Sequence, residues 1–134
     1  MIAIDTNILI YAFDTAYPEK RDICKTLITD IFEGKKKGFI TNQILAEFAL
    51  IATKKIKNPL TKTEAIIGAI LSSENWKIGT YTGNTILKAL KSTNPFWDSL
   101  IIETLKESDI KKIITENEKD FSSSSLEIQN PFKK

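Results

Sequence analysis

Three carboxylates in this chain stand inside otherwise apolar stretches. Asp5 ends Met-Ile-Ala-Ile-Asp, Glu47 interrupts Ile-Leu-Ala-Glu-Phe-Ala-Leu-Ile, and Asp98 interrupts Phe-Trp-Asp-Ser-Leu-Ile-Ile. Burying an ionised carboxylate is costly unless it is paired or bound to a metal. Two carboxylates about 5 Å apart repel by roughly 3 kcal/mol at an effective dielectric near 20. Three sharing one pocket therefore either take up protons or bind a cation. The only arginine, Arg21, is distant in sequence from all three, which makes a divalent metal the economical neutraliser. Carboxylates holding Mg²⁺ or Mn²⁺ can activate a water and polarise a phosphodiester for in-line displacement.

The rest of the composition narrows the chemistry in the same direction. There is no histidine, which removes the commonest general base, the Ser-His-Asp and Cys-His arrangements and most zinc and copper sites. Cys24 is the only cysteine, so neither an intrachain disulfide nor a cysteine-based zinc site exists; its helical neighbours predict a packed, small apolar role. Hard-oxygen chemistry remains. Lys35, Lys36 and Lys37 form one basic run, and Lys54, Lys55 and Lys57 another. Lysines meet phosphates as flexible point charges, although solvated surface lysines account for such runs equally simply.

The elements that must position these residues are short strands alternating with amphipathic helices. Met1 to Asp5 reads as a buried strand, and Ile8 to Phe13 as a helical turn or two. Pro18 opens a helix to about Phe32, with Ile23, Leu27, Ile28 and Ile31 inward and Gly34 as its stop. Gly38 to Thr41 is a second strand, followed by a helix from Asn42 to Lys54. Thr61 with Glu64 reads as a capping box for a helix through Leu71. Trp76 to Tyr81 is a third strand, Thr82 to Lys91 a helix. Asn94 is the expected N-cap and Pro95 the first residue of a helix to about Glu107. Lys112 to Thr115 and an edge segment from Leu126 to Ile128 complete the strands, with a serine loop at 122–125. This order predicts one domain over residues 1–134, an α/β fold whose parallel sheet is covered on both faces. Ligands of such sheets bind at the carboxyl ends of the strands, where Asp5 and the segment Thr115, Glu116, Asn117 fall.

Each acid also has a structural explanation. Asp5 could cap the helical turn after it, Asp98 could complement its helix dipole, and Glu47 could reach an edge although it shares a face with Gln43, Ile44, Leu50 and Ile51. No apolar run approaches the roughly 20 residues of a membrane helix. No basic segment precedes the first apolar residues, so a cytosolic protein without membrane association is expected.

In order along the chain, Asp5-Thr6-Asn7-Ile8-Leu9-Ile10-Tyr11-Ala12-Phe13-Asp14, Asn42-Gln43-Ile44-Leu45-Ala46-Glu47-Phe48, Trp97-Asp98-Ser99-Leu100-Ile101 and Ile114-Thr115-Glu116-Asn117-Glu118-Lys119-Asp120-Phe121 resemble the motifs of PIN-domain nucleases. The resemblance is closest to the small VapC-like toxins of toxin–antitoxin pairs and covers nearly the whole chain. It implies a three-layer α/β/α fold with a mostly parallel central sheet, and Mg²⁺- or Mn²⁺-dependent cleavage of RNA leaving 5′-phosphate and 3′-hydroxyl ends. It assigns Asp5, Glu47 and Asp98 as catalytic metal ligands, with Asn7 and Thr115 orienting the site. It further implies an RNA substrate and a cognate antitoxin; the apolar stretch Thr61 to Leu71 is compatible with a homodimer.

The fourth acidic position departs from the pattern. Many members carry aspartate two residues after the Thr/Ser of the last motif, where this chain has Asn117, a residue also familiar there. Either Glu116 or Asp120 supplies the charge, or a second metal is held weakly until RNA phosphates complete its site. Asp14 matches the opening motif and is expected to cap rather than to ligate. Rival phosphoryl-transfer folds fit poorly. A haloacid-dehalogenase-like phosphatase needs an aspartate where Asn7 stands, a receiver domain needs an acidic pair near the first strand, and no Walker loop is present. From another class, the alternative is a catalytically degenerate PIN-fold module for RNA binding or interaction. Tyr11, Phe13 and Trp97 are candidate stacking faces for single-stranded RNA, or core residues.

Overall fold

The computed structural model describes residues 1–133. Ile2–Ile4 forms β1, which pairs on both sides, parallel to β2 (Gly38–Thr41) and to β4 (Lys112–Ile114). β3 (Trp76–Gly79) extends the sheet beyond β2 and β5 (Glu127–Gln129) beyond β4, both parallel, in the order β3-β2-β1-β4-β5. Parallel strands covered on both faces read as apolar runs rather than alternating ones. Ala3, Ile4, Phe39, Ile40, Ile113 and Ile114 are accordingly buried.

Among the described residues seven helices connect these strands: α1 (Thr6–Tyr11), α2 (Pro18–Phe32), α3 (Asn42–Lys54), α4 (Leu60–Ser72), α5 (Gly83–Leu90), α6 (Phe96–Glu107) and α7 (Glu118–Phe121). α1 packs on α2 and α3, and α3 on α4; α6 packs on α5 and α7. Right-handed crossovers put the first group on one face of the sheet and the second on the other. The result is the expected three-layer α/β/α architecture. Strand order reverses between β1 and β4, where the chain leads to β2 in one direction and to β5 in the other. Ile4 and Ile114 are paired across that point, so Asp5 and Thr115 emerge side by side at the carboxyl edge.

Two expected helix starts are displaced, both by proline. Pro59, not Thr61, occupies the cap of α4, and its carbonyl accepts from the Thr63 amide (3.1 Å), so Thr61 lies within the first turn and makes no capping box. Likewise Pro95 is the cap of α6 rather than its first residue, its carbonyl accepting from Ser99 (3.0 Å). Asn94 is thereby pushed outside the helix, where its amide donates to Ser123 Oγ (2.6 Å). On α2 the inner stripe is Cys24, Ile28 and Ile31 with Leu27 half-buried; Ile23, expected inward, is 41% exposed. Gly34 does follow the end of α2, at φ +82°, the left-handed conformation that suits glycine. The third strand stops at Gly79, short of Tyr81, and the single turn α7 was not expected from the sequence.

Candidate active site

Asp5 leaves the end of β1 with its side chain 6% exposed. Its carboxylate accepts hydrogen bonds from the Thr6 amide (2.8 Å), from the Thr115 hydroxyl (2.6 Å) and, longer, from Asn7 Nδ2 (3.4 Å). The Asn117 amide donates to the same Thr115 oxygen (3.0 Å), which leaves the hydroxyl proton to Asp5. Asn7 spans the two strand ends, its Oδ1 accepting from the Glu116 amide (3.3 Å). Burial pushes the Asp5 carboxyl up to about 6; the bonds from Thr115 and Thr6 oppose this, and the nearby charges of Glu47 and Asp120 add to it. Asp5 also caps α1, so its structural explanation holds alongside any chemical one.

Glu47 enters from α3 and is half-buried. Thr6 Oγ1 donates to one carboxylate oxygen (3.0 Å) and Gln43 Nε2 to the other (3.0 Å). Its flank is less apolar than expected: Leu50 is 61% exposed, while Ile51 lines the cleft beside it. Asp98 comes from the first turn of α6, on the opposite face of the sheet. Burial raises its carboxyl above the usual range, and the charges of Asp120 and Glu47 raise it further.

These groups share one cleft of about 380 Å³. Asp5, Asp14, Glu47, Asp98 and Asp120 all line it, with Asn7, Asn117, Tyr11 and Tyr17, and among the described residues no lysine or arginine does. Of the two candidates for the fourth acid, Asp120 faces the cleft. Glu116 turns away to accept from Tyr11 Oη (2.7 Å) and Lys20 Nζ (2.5 Å). Burial would raise its carboxyl, but these two donors hold it below the usual range. Asn117 is exposed at the rim. Asp14 accepts from the Ala16 amide (3.0 Å), the turn-capping contact expected of it, while also lining the cleft. Thr115 is not on the cleft wall and acts on Asp5 from behind.

Of the candidate stacking residues, only Tyr11 lines the cleft. Phe13 packs toward Phe48, and Trp97 lies outside the cleft at 62% exposure. Sequence reasoning missed Tyr17, Thr6 and Gln43. Gln43 had a signal: it sits four residues before Glu47, on the same helical face.

The donor set, carboxylates with amide and hydroxyl oxygens, fits a hard divalent cation in type and charge. The acids line the cleft without converging: among the described residues, no group of three acidic side chains is close enough as placed to hold a metal ion. Glu47 is held by Thr6 and Gln43, and Asp5 by Thr6 and Thr115, so Thr6 touches both carboxylates.

Compared with solved structures, the chain matches several over nearly its full length. It matches Mycobacterium tuberculosis VapC20, a sarcin–ricin loop cleaving toxin, with a TM-score of 0.73 at 12% identity, covering 97% of this chain and 100% of that one. The chain has a VapC-like PIN fold. A toxin–antitoxin complex from Klebsiella pneumoniae matches at TM-score 0.70 and 18% identity, covering 99% of each chain. VapBC2 from Rickettsia felis, solved with a DNA fragment from its promoter, matches at 0.62 and 18%, covering 97% of this chain and 98% of that one. No protein-family model and no curated protein sequence matches the chain. In this PIN fold the acids expected from the sequence, Asp5, Glu47 and Asp98, stand at the carboxyl edge of the sheet, and Asp120 joins them.

Proposed function

We propose that this protein is a Mg²⁺- or Mn²⁺-dependent endoribonuclease, the toxin of a toxin–antitoxin pair. The observation that carries the reading is a cleft lined, among the described residues, by five carboxylates and no basic side chain, with Asp5 buried. A charge of that density needs a cation or protons to be stable. Asp5, Glu47 and Asp98 would hold the cation, with Asp120 as the fourth acid. When bound, the cation supplies Lewis acidity toward a phosphodiester and makes a water acidic enough to attack it. Thr115 and Asn7 orient Asp5, and Thr6 and Gln43 orient Glu47. The products should carry 5′-phosphate and 3′-hydroxyl ends.

The likeness to a sarcin–ricin loop cleaving toxin and to toxin–antitoxin complexes supports RNA as substrate and a cognate antitoxin as partner. No helix among the described residues is long and apolar enough to cross a membrane. We place the protein in the cytoplasm, where its RNA is. Leu60 and Leu71, exposed at the two ends of α4, leave apolar surface for the antitoxin or for a second copy in a homodimer.

Lys54 and Lys55 follow Ile51 of the cleft wall by three and four residues, on the same helical face, and lead an RNA strand outward together with Lys57. Replacing all three lysines by alanine should flatten the slope of log Kd for single-stranded RNA against log salt by about 2. An unchanged slope removes them from the RNA path.

A second reading, a PIN-fold binding module without catalysis, draws on the separation of the acids. Labelled single-stranded RNA incubated with the protein in Mn²⁺, Mg²⁺ or EDTA separates the two. Cutting that needs metal and leaves 5′-phosphate ends supports the nuclease. RNA binding without cutting, in a protein that takes up no Mn²⁺, supports the module.

A further inference from the structure

Gln43 joins the two helices that bring Glu47 and Asp98 to the cleft. Its Nε2 donates to Glu47 Oε1 (3.0 Å) on its own helix and to the backbone carbonyl of Trp97 (3.1 Å) in α6, the residue next to Asp98. Both partners can only accept, so the amide nitrogen must face them and the orientation of the side chain is fixed by the network. The side chain is buried, 5% exposed, and its Oε1 has no hydrogen-bond partner among the described residues. A buried acceptor left unpaired is a cost that leucine or methionine at this position would avoid. Packing alone therefore does not account for glutamine here.

We propose that Gln43 is a positioning residue: its amide fixes the separation of Glu47 from Asp98 across the cleft and so sets the affinity of the acids for a divalent cation. The inference rests on the metal-dependent reading above. Thr6 fixes the other oxygen of Glu47 from α1, so the carboxylate is held at both ends, while no lysine or arginine among the described residues lines the cleft. Without the Gln43 bridge, mutual repulsion would separate the two acids, and an incoming cation would have to draw them back.

Gln43→Met keeps length and volume and removes the donor. In the full chain it should fold with a metal-free Tm close to that of the wild type, removal of the orphaned acceptor offsetting the two lost hydrogen bonds. Its Mn²⁺ Kd, measured by calorimetry, should rise roughly 10- to 100-fold, the scale of lost support to metal ligands. RNA cutting should fall at limiting Mn²⁺ and recover at saturating Mn²⁺, a split that simple misfolding would not produce. Gln43→Leu, read the same way, serves if the methionine variant fails to fold. A folded variant whose Mn²⁺ Kd stays within twofold of the wild type overturns the role of Gln43 and leaves the nuclease reading standing. A wild-type protein that binds no Mn²⁺ overturns both.

Discussion

Asp5→Asn should abolish RNA cutting and, in the absence of metal, make the protein more stable at neutral pH. The loss of activity should be at least about 10²- to 10³-fold, the scale of one contact directed at the transition state. The gain in stability follows from the proton affinity of Asp5, which burial raises from an ordinary 3.8 to about 6. Between these values the folded protein holds a proton that the unfolded chain has released. Stability from this group therefore falls as pH rises from about 4 to about 6 and stays lost above that. The difference corresponds to about 3 kcal/mol at pH 7. Asparagine carries no charge to desolvate, so urea unfolding in EDTA should show Asp5→Asn more stable by about 1–3 kcal/mol at pH 7, the Thr115 contact offsetting part of the gain. The advantage should shrink toward zero near pH 4. A variant less stable than wild type at pH 7 would mean that Asp5 is charge-compensated in the free protein.

Asp120→Asn should lower cutting by roughly 10- to 100-fold, and Glu116→Gln by far less. The two acids are four residues apart, but their surroundings differ in kind. Asp120 lines the cleft and its charge raises both Asp5 and Asp98, so the three compete for the same positive partner. Glu116 already has its partner in Lys20, whose ammonium also lies over the Tyr11 and Phe132 rings at 4.9 and 5.1 Å. Glu116 thus anchors Tyr11 in the cleft wall from outside the acid set. Cleavage rates of the two variants at a fixed, limiting Mn²⁺ concentration check this. Equal loss in both would place Glu116 among the ligands.

Much of this arrangement is legible in the sequence because burial and period mark it. β2, α2 and α3 end where their apolar patterns and Gly34 say they should, and alternation of strand and helix implies the parallel sheet. Asp5, Glu47 and Asp98 stand out because each breaks an apolar run, although Leu50 beside Glu47 and Trp97 beside Asp98 are exposed. Proline obscured the starts of α4 and α6: its extended ψ, 141° at Pro59 and 139° at Pro95, makes it the cap rather than the first helical residue. The choice between Glu116 and Asp120 was not legible. It depends on how the chain turns after β4, where Asn117 bonds back to the Thr115 hydroxyl and a single helical turn swings Asp120 into the cleft. Nor did the pattern give Gln43 its role, because half of its contact is to a backbone carbonyl 54 residues away.

The most direct test of the acid cleft as a metal-dependent ribonuclease centre is cleavage of one labelled single-stranded RNA by wild type and Asp98→Asn, side by side in Mn²⁺ and in EDTA. The expected result is cutting by the wild type in Mn²⁺ alone, with none by Asp98→Asn under either condition. Cutting that persists in EDTA, or that Asp98→Asn performs at the wild-type rate in limiting Mn²⁺, would contradict it.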